Sequence, residues 1–523
     1  MHATRSRPPV EVSADGVGVV SHVGARLLAD LADRSTLTAQ LSEVFAARIA
    51  PQVVHDPGRV LVDVAVVIAD GGECISDIAT LADQADLFGS VASDSTCWRV
   101  LDSINDVDLN AIAAARAAAR SVVWAQRAEV TGCALPASLV AGMPLLDRGG
   151  RPVLVIDEDA TLVVAHSEKE QAAATFKHTF GFHPVLAFCD NSNEALAGLL
   201  RPGNAGANTA ADLIAVLDAA LAQIPDEFRH GYPMLVRLDG AGASKALLAH
   251  IRSLHEHGVH AEFSIGWAVG EREHTAIATL PAKAWTPAID IAGDPRESAA
   301  VAELTGLLPA PMFGDYPAGM RIIVRRERPH PGAQLDLIEE RDGWRYTCFA
   351  TDTPAGQHAW LDARHRSHAR VEDRIRCGKD TGLGRFPSRQ FAINQAWLAC
   401  ALTAIDLIAW TQTTLLADQP ELANAEPKTL RYRLLHVAAR LVRGGRKLRL
   451  KIDRSWRWAH VLAARSIDCA LCPPPRPDTA ATTRPLQRTA RQPRPGESRT
   501  PGAHNHTGKI NSLRGDQHPS RPE

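Results

Sequence analysis

The hydrophobic period of this chain changes at the turn Asp147-Arg148-Gly149-Gly150, and that change limits the folds open to it more than any other feature. Upstream, apolar residues recur at helical spacing, as in Ala25, Leu28 and Leu31 and then Val60, Leu61, Val64 and Ala65, with Asp, Ser and Gly between the runs. Residues 21–127 therefore read as all-helical, and 93–104 followed by 107–124 has the outline of a helix-turn-helix. Downstream, residues 153–166, 183–190, 234–239, 261–269, 320–326 and 344–351 are rich in Val, Ile, Leu and aromatics, with helical stretches such as 210–224 and 244–257 between them. Such alternation predicts a mixed α/β domain. Residues 359–377 and 390–416 return to helical spacing, and 429–443 reads as the start of a basic helical segment. From Pro473 onward Pro, Arg, Thr, Gly and Ser dominate, so nothing there offsets the ordering entropy and a disordered tail is expected.

A chain of 523 residues, 45 % of them apolar, can bury more than one core. The opening MHATRSRPPVEV has no apolar stretch behind its basic residues, and the most apolar run, 396–410, is short and carries Asp406. Secretion and membrane spanning are not expected. The 9 cysteines are scattered, and their one close pair, Cys469 and Cys472, has no second pair at zinc-ligand spacing, which fits a reducing cytoplasm. A net charge of -2 argues against a phosphate-rich partner, but the average hides the distribution. Residues 1–150 hold 18 acidic and 11 basic residues, whereas 428–457 hold 11 basic residues and the single acid Asp453.

Three segments carry chemistry. In VLVIDEDATLVVAH, period-two alternation sets Asp157, Asp159 and Thr161 on one face and Leu154, Ile156, Ala160, Leu162 and Val164 on the other. Two neighbouring carboxylates on a buried sheet cost electrostatic energy that a divalent metal would offset. A second apolar strand, MLVRLDG, ends at Asp239 before glycines. In AWLDARHRSHARVEDRIRCGKD, residues His365, His368, Glu372, Arg376 and Lys379 fall on one helical stripe, with Val371 and Ile375 as an apolar face beside it. The surrounding Arg364, Arg366, Arg370 and Arg374 add more positive charge than solubility requires, and phosphodiesters suit such a cluster.

Together these segments resemble the DDE transposases of bacterial insertion sequences with the Tyr-x2-Arg-x3-Glu-x6-Lys signature. Asp159-Ala160-Thr161 matches the first motif, Asp239-Gly240 the second, and Glu372 and Lys379 the third, where His365 and His368 occupy the family Tyr and Arg positions. AHSEKEQAAATFKHTFGFHPVLAF, LLRPGNAGANTAADLIAVLDAAL and RVEDRIRCGKDTGLGRFPSRQFAINQAWL look like the actinobacterial insertion-sequence thirteen-eighty branch. The resemblance implies an RNase H-like core with Asp159, Asp239 and Glu372 as catalytic metal ligands for two Mg2+ ions, Mn2+ being a substitute. They would cleave phosphodiesters at the element ends and transfer the 3'-hydroxyls into target DNA by cut-and-paste transposition. It further implies a cytoplasmic, nucleoid-associated bacterial enzyme that acts on inverted-repeat DNA as a homodimer.

On this reading 1–150 is a helical domain for end recognition, 151–257 and 353–418 form the core, 258–352 is a β-rich insertion, 419–472 is a basic helical segment and 473–523 is the tail. His365, His368, Arg376 and Lys379 would grip DNA beside the metals, and Arg440, Arg443, Arg446, Lys447 and Arg449 would hold its backbone with little sequence discrimination. Two other readings remain. Asp157-Glu158-Asp159-Ala160-Thr161 also satisfies the nucleophile loop of a haloacid-dehalogenase-type phosphatase, with Asp157 as nucleophile and Asp159 as general acid. A transposase decayed to a DNA-binding remnant is the other.

Overall fold

The computed structural model describes residues 10–48, 54–166, 168–206, 209–445 and 447–471. Arg446, Cys472 and the expected tail lie outside the described residues. Five long helices precede the turn at Asp147: α1 (Ala25–Arg34), α2 (Leu37–Phe45), α3 (Pro57–Asp70), α4 (Asp94–Asp102) and α5 (Asp106–Thr131). Local chemistry sets their ends. Asp56 accepts the Gly58 and Arg59 amides at the start of α3, Pro57 occupies its first turn and Gly71 closes it at φ +109°. Asn105 caps α5 in a reciprocal box with Asp108.

The centre is a nine-stranded sheet built from β2 (Leu154–Ala160), β3 (Val185–Cys189), β4 (Ala195–Leu199), β5 (Met234–Leu238), β6 (Ala261–Trp267), β7 (Thr286–Ile289), β8 (Pro295–Glu303), β9 (Arg321–Glu327) and β10 (Arg345–Thr351). Its order is β7-β8-β9-β10-β6-β5-β2-β3-β4. Strands β2, β5 and β6 run parallel, and the remaining neighbours are antiparallel. Residues 261–267 were expected in the insertion, yet β6 pairs along its length with β5 and is an interior strand of the main sheet. Only β7 to β10 extend the sheet beyond it. On one face, α6 (Ala210–Gln223) and α7 (Lys245–Ser253) pack on Leu154, Ile156 and Val236. Against the other lie α8 (His358–Arg366), α9 (Arg370–Gly378) and α10 (Phe391–Trp410).

The helices before Asp147 do not own a separate core. Leu28, Leu41 and Ile68 share one apolar cluster with Trp397, Leu407, Leu434 and Leu462. The helical run Phe391–Leu415 is long and apolar enough to cross a membrane, but most of it is buried in this cluster. Its Asp406 accepts Arg116 and Arg120 from α5, and Arg120 also reaches Glu194, all fully buried or nearly so. The arginines that a DNA-reading α5 would expose are thus spent inside the protein.

The basic segment is not one helix. After short turns it forms a hairpin of β11 (Ala439–Gly444) and β12 (Lys447–Ile452), whose outer edge pairs with β1 (Val19–Val20). The physical cause is period-two alternation around Gly444-Gly445: Leu441, Leu450 and Ile452 pack on the core, whereas Arg440, Lys447, Arg449 and Lys451 are exposed. Helix α11 (Ala459–Leu471) follows.

Candidate active site

Because β2 and β5 are parallel and Arg237 lies opposite Asp157, residues two further along each chain, Asp159 and Asp239, lie at the same end of the sheet. Asp239 enters the tight turn Gly240–Gly242. Gly266 on β6 permits that turn, since a Cβ there would lie 2.5 Å from the Gly240 nitrogen. Glu372 is in the first turn of α9 and is exposed, as is Asp239, while Asp159 is half-buried. Burial, then the Asp239 carboxylate and finally Glu372 push the Asp159 carboxyl up to about 6. Asp239 and Glu372, singled out with Asp159 in the sequence, thus both lie near enough to act on the Asp159 carboxyl. Lys379 Nζ donates to the Leu162 carbonyl at 3.0 Å and feels the charge of Asp159.

Beneath these acids lies an ionic cluster that the sequence reading missed. Arg237 makes two bonds to Asp157, 2.7 and 2.8 Å long, and sits 3.1 Å from Asp190. From the helical side, His368 Nδ1 meets Asp157 at 3.1 Å and Arg374 meets it at 3.3 Å, while Arg370 Nε donates to Asp190 at 2.9 Å. Arg374 also donates to Asp190, which these cations hold far below the usual carboxylate range. The cluster ties the segment carrying Glu372 to the strands carrying Asp159 and Asp239. Arg237 and Asp190 each follow or interrupt an apolar strand, a signal that marks a buried charge but not its partner.

Several expectations change. His368 is buried on Asp157, and His365 stacks on Phe349 with ring centroids 4.5 Å apart and Nδ1 3.1 Å from the Ser264 hydroxyl. Burial, helped by His368 and Arg237, pushes the His365 pKa down to about 3, so it brings no positive charge to a phosphate. A 3-10 turn, Ser367–Ala369, separates α8 from α9, and His368 stays near enough to Asp159 to act against the rise of its carboxyl. The arginine cluster is likewise committed inward: Arg364 bonds Thr351 and Thr353, and Arg370 and Arg374 bond Asp190. Arg376 is exposed and pairs with Glu426 at 2.9 Å. Asp157, fully buried and doubly bonded to Arg237, is unsuited to the nucleophile role of the phosphatase reading. Of the basic residues on the hairpin, Arg440, Lys447 and Arg449 are exposed and Arg443 pairs with Asp86.

Glu158 points to the opposite face of β2, where both carboxylate oxygens are buried without a hydrogen bond. Burial pushes its carboxyl well above the ordinary value, so the folded state favours its protonated form. Stability should decline as pH rises from about 4.5 toward that raised value, because the unfolded chain ionises first. Glu158→Gln should remove the decline, adding about 1–3 kcal/mol at neutral pH and little below pH 4.5, as read by urea unfolding across pH.

The family model described as transposase DDE domain, group 1, matches residues 2–468. No curated protein matches the chain. Among solved structures, the piggyBac transposase synaptic complex with hairpin DNA is similar over 79 % of this chain and 80 % of its own, at 8 % identity and a TM-score of 0.39.

Proposed function

From its membership of the transposase DDE domain family, to which the chain belongs, we propose that it cuts an insertion sequence from DNA and joins the ends to a new site, with Asp159, Asp239 and Glu372 as the catalytic acids. The carrying observation is that Asp159 and Asp239 lie at the same end of two adjacent parallel strands, with Glu372 near enough to add, after burial and Asp239, to the rise of the Asp159 carboxyl. Strands β4-β3-β2-β5-β6, with Asp159 on the first in chain order and Asp239 directly after the fourth, support an RNase H-like core in which β7 to β10 are the insertion.

A half-buried carboxyl that two neighbouring acids help to raise, as Asp239 and Glu372 do for Asp159, fits a divalent cation. When bound, Mg2+ or Mn2+ would activate the attacking water or 3'-hydroxyl and stabilise the leaving oxygen. The chain's own contribution is to hold the carboxylates on the ends of two strands and one helix, locked from beneath by Arg237 and Asp157. Lys379 supplies a cation for a phosphate next to Asp159. The exposed Arg440, Lys447, Arg449 and Lys451 form a basic hairpin face suited to the DNA backbone, and two copies would pair the two ends. Recognition of the ends cannot be isolated by deleting residues 1–150, because that deletion would strip one side of a shared core.

Incubation with element-end DNA and Mg2+ tests this reading. Nicking at the terminal repeat is expected, and binding without cleavage would favour the decayed remnant. Since a proton competes with metal at Asp159, nicking at subsaturating Mg2+ should fall with pH below about 6, approaching tenfold per unit, and added Mg2+ should restore it. A rate independent of both would remove Asp159 from the metal site.

A further inference from the structure

Among the described residues, one group of three potential metal ligands has its donor atoms all within 4.8 Å of one another: His22, Asp70 and His436. None belongs to the candidate active site. We propose that these three residues form a second divalent-cation site, of zinc-binding chemistry, that fastens the β1 segment to the root of the basic hairpin.

The site is assembled from three distant stretches. His22 follows β1, Asp70 is the last residue of α3 and His436 precedes β11. Close backbone packing fixes the approach: the Val23 and Gly24 amides donate to the Val437 and Leu435 carbonyls, and a Cβ on Gly24 would meet the Leu434 carbonyl at 2.0 Å. His22 itself adopts φ +55°, an uncommon conformation for a residue with a side chain, and its ring faces Asp70.

Asp70 is the buried centre, with a side chain only 3 % exposed. Its Oδ2 lies 2.5 Å from His22 Nδ1, whereas Oδ1 accepts no hydrogen bond and lies 3.3 Å from His436 Nε2. Two imidazoles and one carboxylate are a zinc-type donor set, and zinc–ligand bonds of about 2 Å set neighbouring donors about 3.3 Å apart in a tetrahedron. Small side-chain rotations therefore suffice. His22 and His436 are 29 % and 38 % exposed, and Asp70 and His436 line a cleft together with Glu73, Arg431 and Asp453, so water can complete the coordination. The Arg431 guanidinium is turned to the Ile68, Ala69 and Asp380 carbonyls. His436 Nε2 also lies 2.8 Å from the Asp70 carbonyl, so a cation binding at that nitrogen displaces a proton. A site at the hairpin root would order the strands that carry Arg440, Lys447 and Arg449.

The test uses the full chain, stripped by chelator and titrated with Zn2+ or Co2+, in an Asp239→Asn background that weakens the candidate active site. One equivalent should bind, Co2+ should give visible d–d bands, and proteolysis within 439–452 should slow. Adding His436→Gln or, separately, His22→Gln should weaken Zn2+ at least about a hundredfold and abolish the bands, with circular dichroism reporting the fold. Binding unaffected by both substitutions, or a stripped protein whose Tm and proteolysis respond to pH but not to Zn2+, would overturn the site in favour of a proton-bridged His–Asp–His contact.

Discussion

Asp239→Asn and Glu372→Gln should each lower cleavage of element-end DNA by at least about a thousandfold while leaving the fold in place. Both side chains are exposed, so neither substitution creates a cavity. Their charge is what the site uses, since each raises the Asp159 carboxyl. Either variant should therefore also bring the Asp159 carboxyl down from about 6 in the metal-free protein, Asp239→Asn by more because it is the larger influence. Side-chain carboxyl NMR would report that titration independently of turnover. Full cleavage by Glu372→Gln would remove α9 from the chemistry, whatever became of the strand acids.

The second large effect is on stability. Arg237→Met should cost about 3–5 kcal/mol in urea unfolding, because it withdraws from fully buried Asp157 the one partner among the described residues that bonds both of its oxygens, and leaves Asp190 with fewer cations. Asp157→Asn should be costly for the converse reason, leaving the buried Arg237 charge partly unpaired. Cleavage should fall in both variants in step with the loss of folded protein or of α9 docking, and lowering the temperature should restore part of it. A phosphatase that used Asp157 as nucleophile would behave differently: Asp157→Asn would abolish its turnover and leave stability unchanged. Equal stability of Arg237→Met and the parent would show that the cluster does not hold the site together.

The three proposed catalytic acids were picked out of the sequence by an acid on an alternating strand, an acid ending an apolar strand before glycines and, through the family resemblance, an acid with six residues between it and a lysine. The parity that set Asp157 and Asp159 on one face of β2 was also legible, and it equally assigns Glu158 to the apolar face, where it is buried without a hydrogen bond. What parity could not give was the difference between Asp157 and Asp159. That difference depends on Arg237, which lies 80 residues away in the chain, and on His368 and Arg374, which lie 211 and 217 away.

The same limit explains the other changes. A run of arginines on a helix has the same composition whether its charge faces DNA or buried acids, and only the position of Asp190 decides that Arg370 and Arg374 face inward. The basic hairpin had a local signal, two glycines between alternating leucines, which the density of charge obscured. By itself the sequence determined six of the nine central strands and the helices between them, since period and turn chemistry act over a few residues. It did not determine 195–199, 286–289 or 295–303, whose composition lacks the run of large apolar residues that marks the others. Tertiary structure alone decided which charges are paired, that the first helices share a core with the last, and that His22, Asp70 and His436 meet. Those outcomes depend on contacts between residues tens to hundreds of positions apart, and no local period encodes them.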